Sequence, residues 1–210
     1  MRWWRNRWWN RPRKLSFFAG VCYIPRHTRG ERKADRQEKK AVTVWLTGLS
    51  GAGKTSIAHA LAALLEQDGR AVTVLDGDLL RDGLNRDLGF TPQDRHENIR
   101  RTAEVARLMN GAGLVVIAAL ISPNREDRAM AGAIIGAAQF IEVHVSTRLE
   151  VCEARDPKGL YARARAGQLP QFTGVSAPYE APLSPALALD TGSQPLAASA
   201  EQLYRSWLAL

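Results

Sequence analysis

The chain has 210 residues, 45% of them apolar and 24% charged, which suits one α/β domain with a substantial core and excludes a wholly disordered chain. Its formal net charge of +8 is uneven: residues 1–40 carry 13 Lys/Arg against 3 Asp/Glu, a net of +10, whereas residues 41–210 carry 16 against 18, a net of −2. Any reading of the charge as a nucleic-acid signal therefore concerns the arm alone, and neither nucleic acid nor a membrane is an expected partner of the domain.

In chain order, the arm comes first. MRWWRNRWWNRPRK places four of the six Trp residues among its first nine positions, interleaved with Arg. Residues 1–26 read as a disordered extension, with attachment to an anionic membrane or to nucleic acid as the alternative. Residues 27–40 are charged and helix-compatible, a surface lead-in to a domain at 41–210. Leu15 to Ile24 follows a basic stretch, as a secretory signal does, but it is short, interrupted by polar residues and followed by no small-x-small site. The longest apolar stretch, Gly111 to Ile121, falls well short of the roughly 20 residues of a membrane helix. Cys22 and Cys152 have no metal-ligand spacing and suggest no disulfide framework, in keeping with a cytoplasmic location.

From Ala41 the pattern alternates. VTVWLT (42–47) is a buried strand, GLSGAG a turn, and a helix runs from Lys54 to Gln67 with Ile57, Leu61, Leu64 and Leu65 on one face. AVTVL (71–75) is a second strand leading into DGD at 76–78. After a loop and a short helix, a long helix runs from Asp94 to Asn110. LVVIAALI (114–121) is apolar at nearly every position, as a central parallel strand should be. A helix at 125–138 and a strand at 140–145 follow, then short helices at 148–154 and 159–166. ALALD (186–190) is a weak fifth strand, and Leu196 to Leu208 a terminal amphipathic helix. Such alternation predicts a doubly wound, mostly parallel five-stranded sheet with helices on both faces.

The chemistry begins at GLSGAGKT (48–55), a phosphate loop set between a strand and a helix. Gly48, Gly51 and Gly53 permit turns that aim backbone N–H groups at a phosphate; Leu49, Ser50 and Ala52 complete the loop. The helix N-terminus adds its dipole. Lys54 supplies a point charge for the β- and γ-phosphates, and Thr55 a hydroxyl for Mg²⁺. ATP and Mg²⁺ are the implied cofactors. Asp76 and Asp78 close the second strand at the edge where open α/β sheets bind ligands. The third strand ends without an acid, which moves metal or base work onto this pair; helix capping by Asp78 is the competing role. In LGFTPQDRHENIRR (88–101), Phe90 can stack on a purine, and Arg95 and its neighbours suit phosphate or sulfate oxygens. Periodicity alone reads them equally well as a solvated helix face and a core Phe.

Together, GLSGAGKT, DGDLLRDGLNRDLGF, DRHENIRR, ISPNREDR, EARDPKGLYARARAG, FTG and YEAP resemble the adenylyl-sulfate kinase family, from about Thr28 to the C-terminus. The resemblance implies transfer of the ATP γ-phosphoryl group to the 3′-hydroxyl of adenosine 5′-phosphosulfate (APS), giving 3′-phosphoadenosine 5′-phosphosulfate (PAPS) and ADP in sulfate assimilation. It places Asp76 and Asp78 at the family's acidic pair, with Asp78 and Thr55 toward the metal. Arg81, Arg95 and Asn98 match polar residues that bind APS, and Phe90 and Phe172 match an aromatic pair that sandwiches its adenine. Ile121 and Ser122 line that pocket; Ser122 matches a serine sometimes assigned a phosphorylated intermediate, although direct in-line transfer needs none. Arg155, Asp156 and Lys158 begin a lid, with Arg155 beside ATP and Lys158 reaching the site. A homodimer is implied as well. The departures are few: Thr55-Ser56 keeps a hydroxyl for Mg²⁺, and Leu120 and Asn124 alter the pocket wall without removing a charge. A kinase with another acceptor is the nearer alternative. A silent nucleotide-binding subunit is the more distant one, disfavoured by intact Lys54, Thr55, Asp76 and Asp78.

Overall fold

A computed structural model of the chain describes residues 41–209; the expectations for the arm and for Leu15 to Ile24 lie outside these residues. The elements are β1 (Thr43–Thr47), α1 (Lys54–Gln67), β2 (Val72–Asp76), α2 (Gly77–Asp82), α3 (Pro92–Gly111), β3 (Val115–Ala119), α4 (Arg125–Ile135), β4 (Phe140–Val145), α5 (Leu149–Arg155), α6 (Leu160–Arg165), β5 (Leu187–Leu189) and α7 (Leu196–Leu208). The strands form one sheet in the order β2-β3-β1-β4-β5, and every pairing is parallel. The expected five-stranded α/β fold is therefore observed, with no antiparallel edge among the described residues.

The side-chain period of two explains why β1 is buried throughout and apolar at its three central positions. Val44 and Leu46 face one layer, with Ile57, Leu61 and Leu65 of α1 and Leu203 and Trp207 of α7. Trp45 faces the other, with Ile99 and Ala103 of α3 and Ala131 and Ile135 of α4. A strand buried on both faces has no solvent-facing side; burying each large side chain contributes on the order of 1.5–3 kcal/mol, and the hydroxyls of the terminal Thr43 and Thr47 donate to Asn110 and to the Ile121 carbonyl. Because parallel strands all point one way, the carboxyl ends of β1, β2 and β3 open on a single edge, with Asp76 level with Ala119.

Three boundaries differ from the sequence expectation by two residues or more. The long helix starts at Pro92, before Asp94. Thr91 is its N-cap, its hydroxyl accepting from the Asp94 N–H at 3.2 Å while the Asp94 carboxylate accepts from the Thr91 N–H at 3.2 Å. Asp94 is thus the third residue of a capping box, and Pro92 tolerates the first turn because it lacks only an N–H that would be unpaired there. The helix after β3 stops at Ile135, three residues early, where Gly136 takes a positive φ of 99°. β3 pairs only to Ala119, and the chain beyond it turns down to Ser122.

Candidate functional site

The phosphate loop sits between β1 and α1 at the open edge of the sheet. Gly48 approaches β4 so closely that a Cβ there would lie 2.4 Å from the Val145 carbonyl oxygen. Gly53, the N-cap of α1, has φ 99° and would direct a Cβ onto Thr191 at 3.2 Å; both positions therefore require glycine. Every carbonyl from Gly48 to Ala52 accepts a hydrogen bond. Lys54 Nζ donates to Gly48 O at 2.9 Å and Leu49 O at 2.7 Å. The Tyr161 hydroxyl donates to Ser50 O at 3.0 Å, and Arg155 Nη1 to Gly51 O at 3.3 Å. The hydroxyls of Thr147 and Thr191 donate to Ala52 O at 3.2 and 2.8 Å. The loop is held by its acceptors, while the first N–H groups of α1 have no partner within the helix, as an anion site requires. Lys54 is buried, and burial pulls its ammonium down from 10.5 to about 8.

Beside the loop, β2 ends in the two acids. Asp76 caps α2, accepting from the Asp78 N–H at 2.9 Å, and its other oxygen accepts from the Thr55 hydroxyl at 2.7 Å. Capping therefore falls to Asp76, and Asp78 is left exposed, ion-paired to Lys158. The hydroxyl and carboxylate that meet are those of Thr55 and Asp76, two hard oxygen donors suited to Mg²⁺. The sequence expectation sets Asp78 and Thr55 toward the metal; in the structure it is Asp76 that the Thr55 hydroxyl meets. Among the described residues no cluster of three or more His, Cys, Asp or Glu forms a metal cage, so an ion here would depend on phosphate oxygens for further ligands.

The opposite wall is built from α2, α3 and the segment around Phe172. Arg81 stacks over Phe90, its guanidinium carbon 4.3 Å from the ring centroid, and donates to the carbonyls of Leu88 and Gly89. Arg95 donates to Phe90 O at 3.0 Å, to the Thr173 hydroxyl at 2.8 Å and to Gln171 O at 2.7 Å. Sequence reasoning expects both arginines to meet substrate oxygens. In the structure Arg95 spends three donors tying the Phe90 turn to the Phe172 turn, with two N–H groups of its five left over. Burial lowers both guanidinium groups from their ordinary value, and both remain cations. Asn98 is buried and accepts from Asn85 Nδ2 at 2.5 Å.

One cleft of about 980 Å³ joins these parts. Ser50, Gly51, Gly53, Lys54, Thr55, Asp76, Asp78, Arg81, Phe90, Arg95, Asn98, Ile121, Ser122, Arg155, Lys158 and Phe172 all line it; Gly48, Leu49 and Ala52 do not. Ser122 has φ 38°, unusual outside glycine. Its carbonyl accepts from Arg128 at 2.7 Å, and its hydroxyl accepts from the Trp45 indole N–H at 3.1 Å inside the core. Sequence reasoning missed Asn85, Thr147, Tyr161 and Thr191. Tyr161 stands in DPKGLY, where the sequence reading singled out only Arg155, Asp156 and Lys158; the two threonines carry no motif at all.

A family model described as adenylylsulphate kinase matches residues 40–190. An adenylyl-sulfate kinase of Shewanella pealeana is 52% identical over 173 residues, covering 82% of this chain and 84% of its own. One from Geotalea uraniireducens is 54% identical over 168 residues, covering 79% and 81%. Among solved structures, the Mycobacterium tuberculosis APS kinase CysC in complex with AMPPNP and APS superposes with a TM-score of 0.78 at 44% identity, covering 81% of this chain and 99% of that one.

Proposed function

This chain belongs to the adenylyl-sulfate kinase family, and on that premise we propose that its cleft transfers the γ-phosphoryl group of ATP to the 3′-hydroxyl of APS. The products are PAPS and ADP. The observation that carries the reading is the meeting, in one cleft, of a braced phosphate loop, two carboxylates at the end of β2 and two aromatic rings on the far wall. The loop takes the β- and γ-phosphates, with Lys54 neutralising charge that grows in the transition state. Thr55 and Asp76 would hold Mg²⁺, which screens the phosphate oxygens when bound. Phe90 and Phe172 take the adenine of APS between them, and Arg81 and Asn98 bind its polar end. Asp78 accepts the proton of the 3′-hydroxyl as the oxygen attacks phosphorus in line and the bond to the β–γ bridging oxygen breaks. For Asp78 to act, Lys158 must leave it, which fits a lid residue exchanging a carboxylate for substrate oxygens.

Ser122, its hydroxyl committed to Trp45, shapes the pocket floor rather than carrying phosphate. Arg155, anchored to the loop and to Thr191, borders the nucleotide. We place the reaction in the cytoplasm, where the buried free thiol of Cys152 stays reduced, and expect a homodimer, checked by light scattering. The direct test is ADP release with APS as acceptor, beside 5′-AMP, shikimate and gluconate. APS-dependent turnover far above the others supports the assignment; folded protein that releases ADP equally with any of the others refutes it.

A further inference from the structure

We propose that Tyr161 is a positioning residue that couples the two halves of the cleft, its hydroxyl fixing the phosphate loop and its ring edge fixing the acceptor-side Phe172. The inference rests on the donor and acceptor assignment above and deepens it.

Tyr161 is 1% exposed, one of the largest fully buried side chains, yet it belongs to α6, a helix of six residues. Its backbone is anchored by Asp156, whose carboxylate accepts from the N–H groups of Tyr161 and Ala162 at 3.1 and 3.0 Å. The hydroxyl reaches back across the sequence to the carbonyl of Ser50 at 3.0 Å. The ring meets Phe172 edge-on, with centroids 5.1 Å apart and an interplanar angle of 82°, the T-shaped arrangement aromatic quadrupoles favour. Burial pushes the phenol pKa up, so the hydroxyl stays a donor at any working pH.

The Ser50 carbonyl has Tyr161 as its side-chain partner, whereas Ala52 O has two. Ser50 is also the middle of the loop, where a tilt of the peptide would turn its N–H groups away from a phosphate. The segment that brings Tyr161 to the loop carries Lys158 to Asp78 and Arg155 to Gly51 as well. Its docking, the loop's shape and the placing of Phe172 therefore form one arrangement. A nucleotide that settles the loop settles Tyr161, and through it the ring that receives the second substrate.

The experiment measures AMPPNP affinity by calorimetry without any acceptor, and steady-state KM for ATP and APS, in Tyr161→Phe and Phe172→Leu. Tyr161→Phe keeps the edge contact and loses one hydrogen bond. AMPPNP binding weakens about 3- to 10-fold, the KM for APS stays within about twofold, and the thermal midpoint shifts by no more than about 4 °C. Phe172→Leu has no polar atom to offer the loop, yet it weakens AMPPNP about threefold because Tyr161 loses its brace, besides raising the KM for APS. Wild-type AMPPNP affinity in Tyr161→Phe overturns the role of the hydroxyl, and wild-type AMPPNP affinity in Phe172→Leu overturns the coupling. Calorimetry involves no acceptor, so the result stands even where wild-type enzyme fails to phosphorylate APS, an outcome that refutes the substrate assignment instead.

Discussion

The two sides of the cleft, proposed above for donor and acceptor, are made differently. The donor side is backbone: a loop with each carbonyl from Gly48 to Ala52 engaged, a buried Lys54 and glycines that admit no side chain. The acceptor side is side chains: Phe90 is 62% exposed, covered by Arg81 and held at its carbonyl by Arg95. A triphosphate is the same in every kinase of this fold, so its site can be built into the main chain and finished before the ligand arrives. An acceptor must be discriminated, and side chains at helix ends supply shape and stacking that the main chain lacks.

The contrast can be broken at three points. Removing the charge of the donor side costs most: Lys54→Ala should lower kcat/KM for both substrates about 10³-fold or more. Its thermal midpoint should hold or rise, since the folded protein loses a buried ammonium; turnover within tenfold of wild type would mean the loop is not the donor site. On the acceptor side, Phe90→Ala should raise the KM for APS about 5- to 150-fold, the equivalent of ~1–3 kcal/mol of stacking, and leave the KM for ATP nearly unchanged. Equal effects on both substrates would erase the distinction between the walls.

The smallest effect concerns protons. Lys54 in the empty protein titrates near 8, and a bound phosphate favours the ammonium. Nucleotide affinity is therefore full below pH 7 and weakens about fourfold between pH 7 and 8.5. The unfolded chain holds this proton up to 10.5, so folding stability rises with pH between about 8 and 10.5 and carries the full cost of the buried charge below 8. Calorimetry and denaturant titrations across this range check both slopes, and Lys54→Met should flatten them.

The sheet and the donor site were legible because each rests on local pattern. β3 is an apolar run of strand length and β1 has an apolar centre at Val44, Trp45 and Leu46, and GLSGAGKT carries its mechanism in consecutive residues. The helix boundaries slipped where the deciding chemistry lay outside the periodicity. Thr91 caps α3 before any apolar repeat begins, and Gly136 ends α4 amid small residues that fit a longer helix. Of the two acids, nothing in the spacing could say which meets Thr55. That depends on the α2 turn, which directs Asp76 back toward α1 and Asp78 out to Lys158. Thr147, Tyr161 and Thr191 escaped notice for a similar reason. Each is ordinary where it stands, and each matters through a partner 95 to 139 residues away.

The last of these contacts has a bearing on how the molecule is made. Thr191 and Ala52 are separated by 139 residues, and the three-residue strand β5 that delivers Thr191 is nearly the last element of the chain. A ribosome that has released the loop, α1 and four strands has not yet made the second hydroxyl on the loop's final carbonyl, which Thr147 reaches as well. A polypeptide still being synthesised thus carries the whole of the nucleotide motif and an unfinished nucleotide site. The edge of the sheet acts as a late checkpoint, and the loop gains its last brace only on a chain that has been made as far as Thr191.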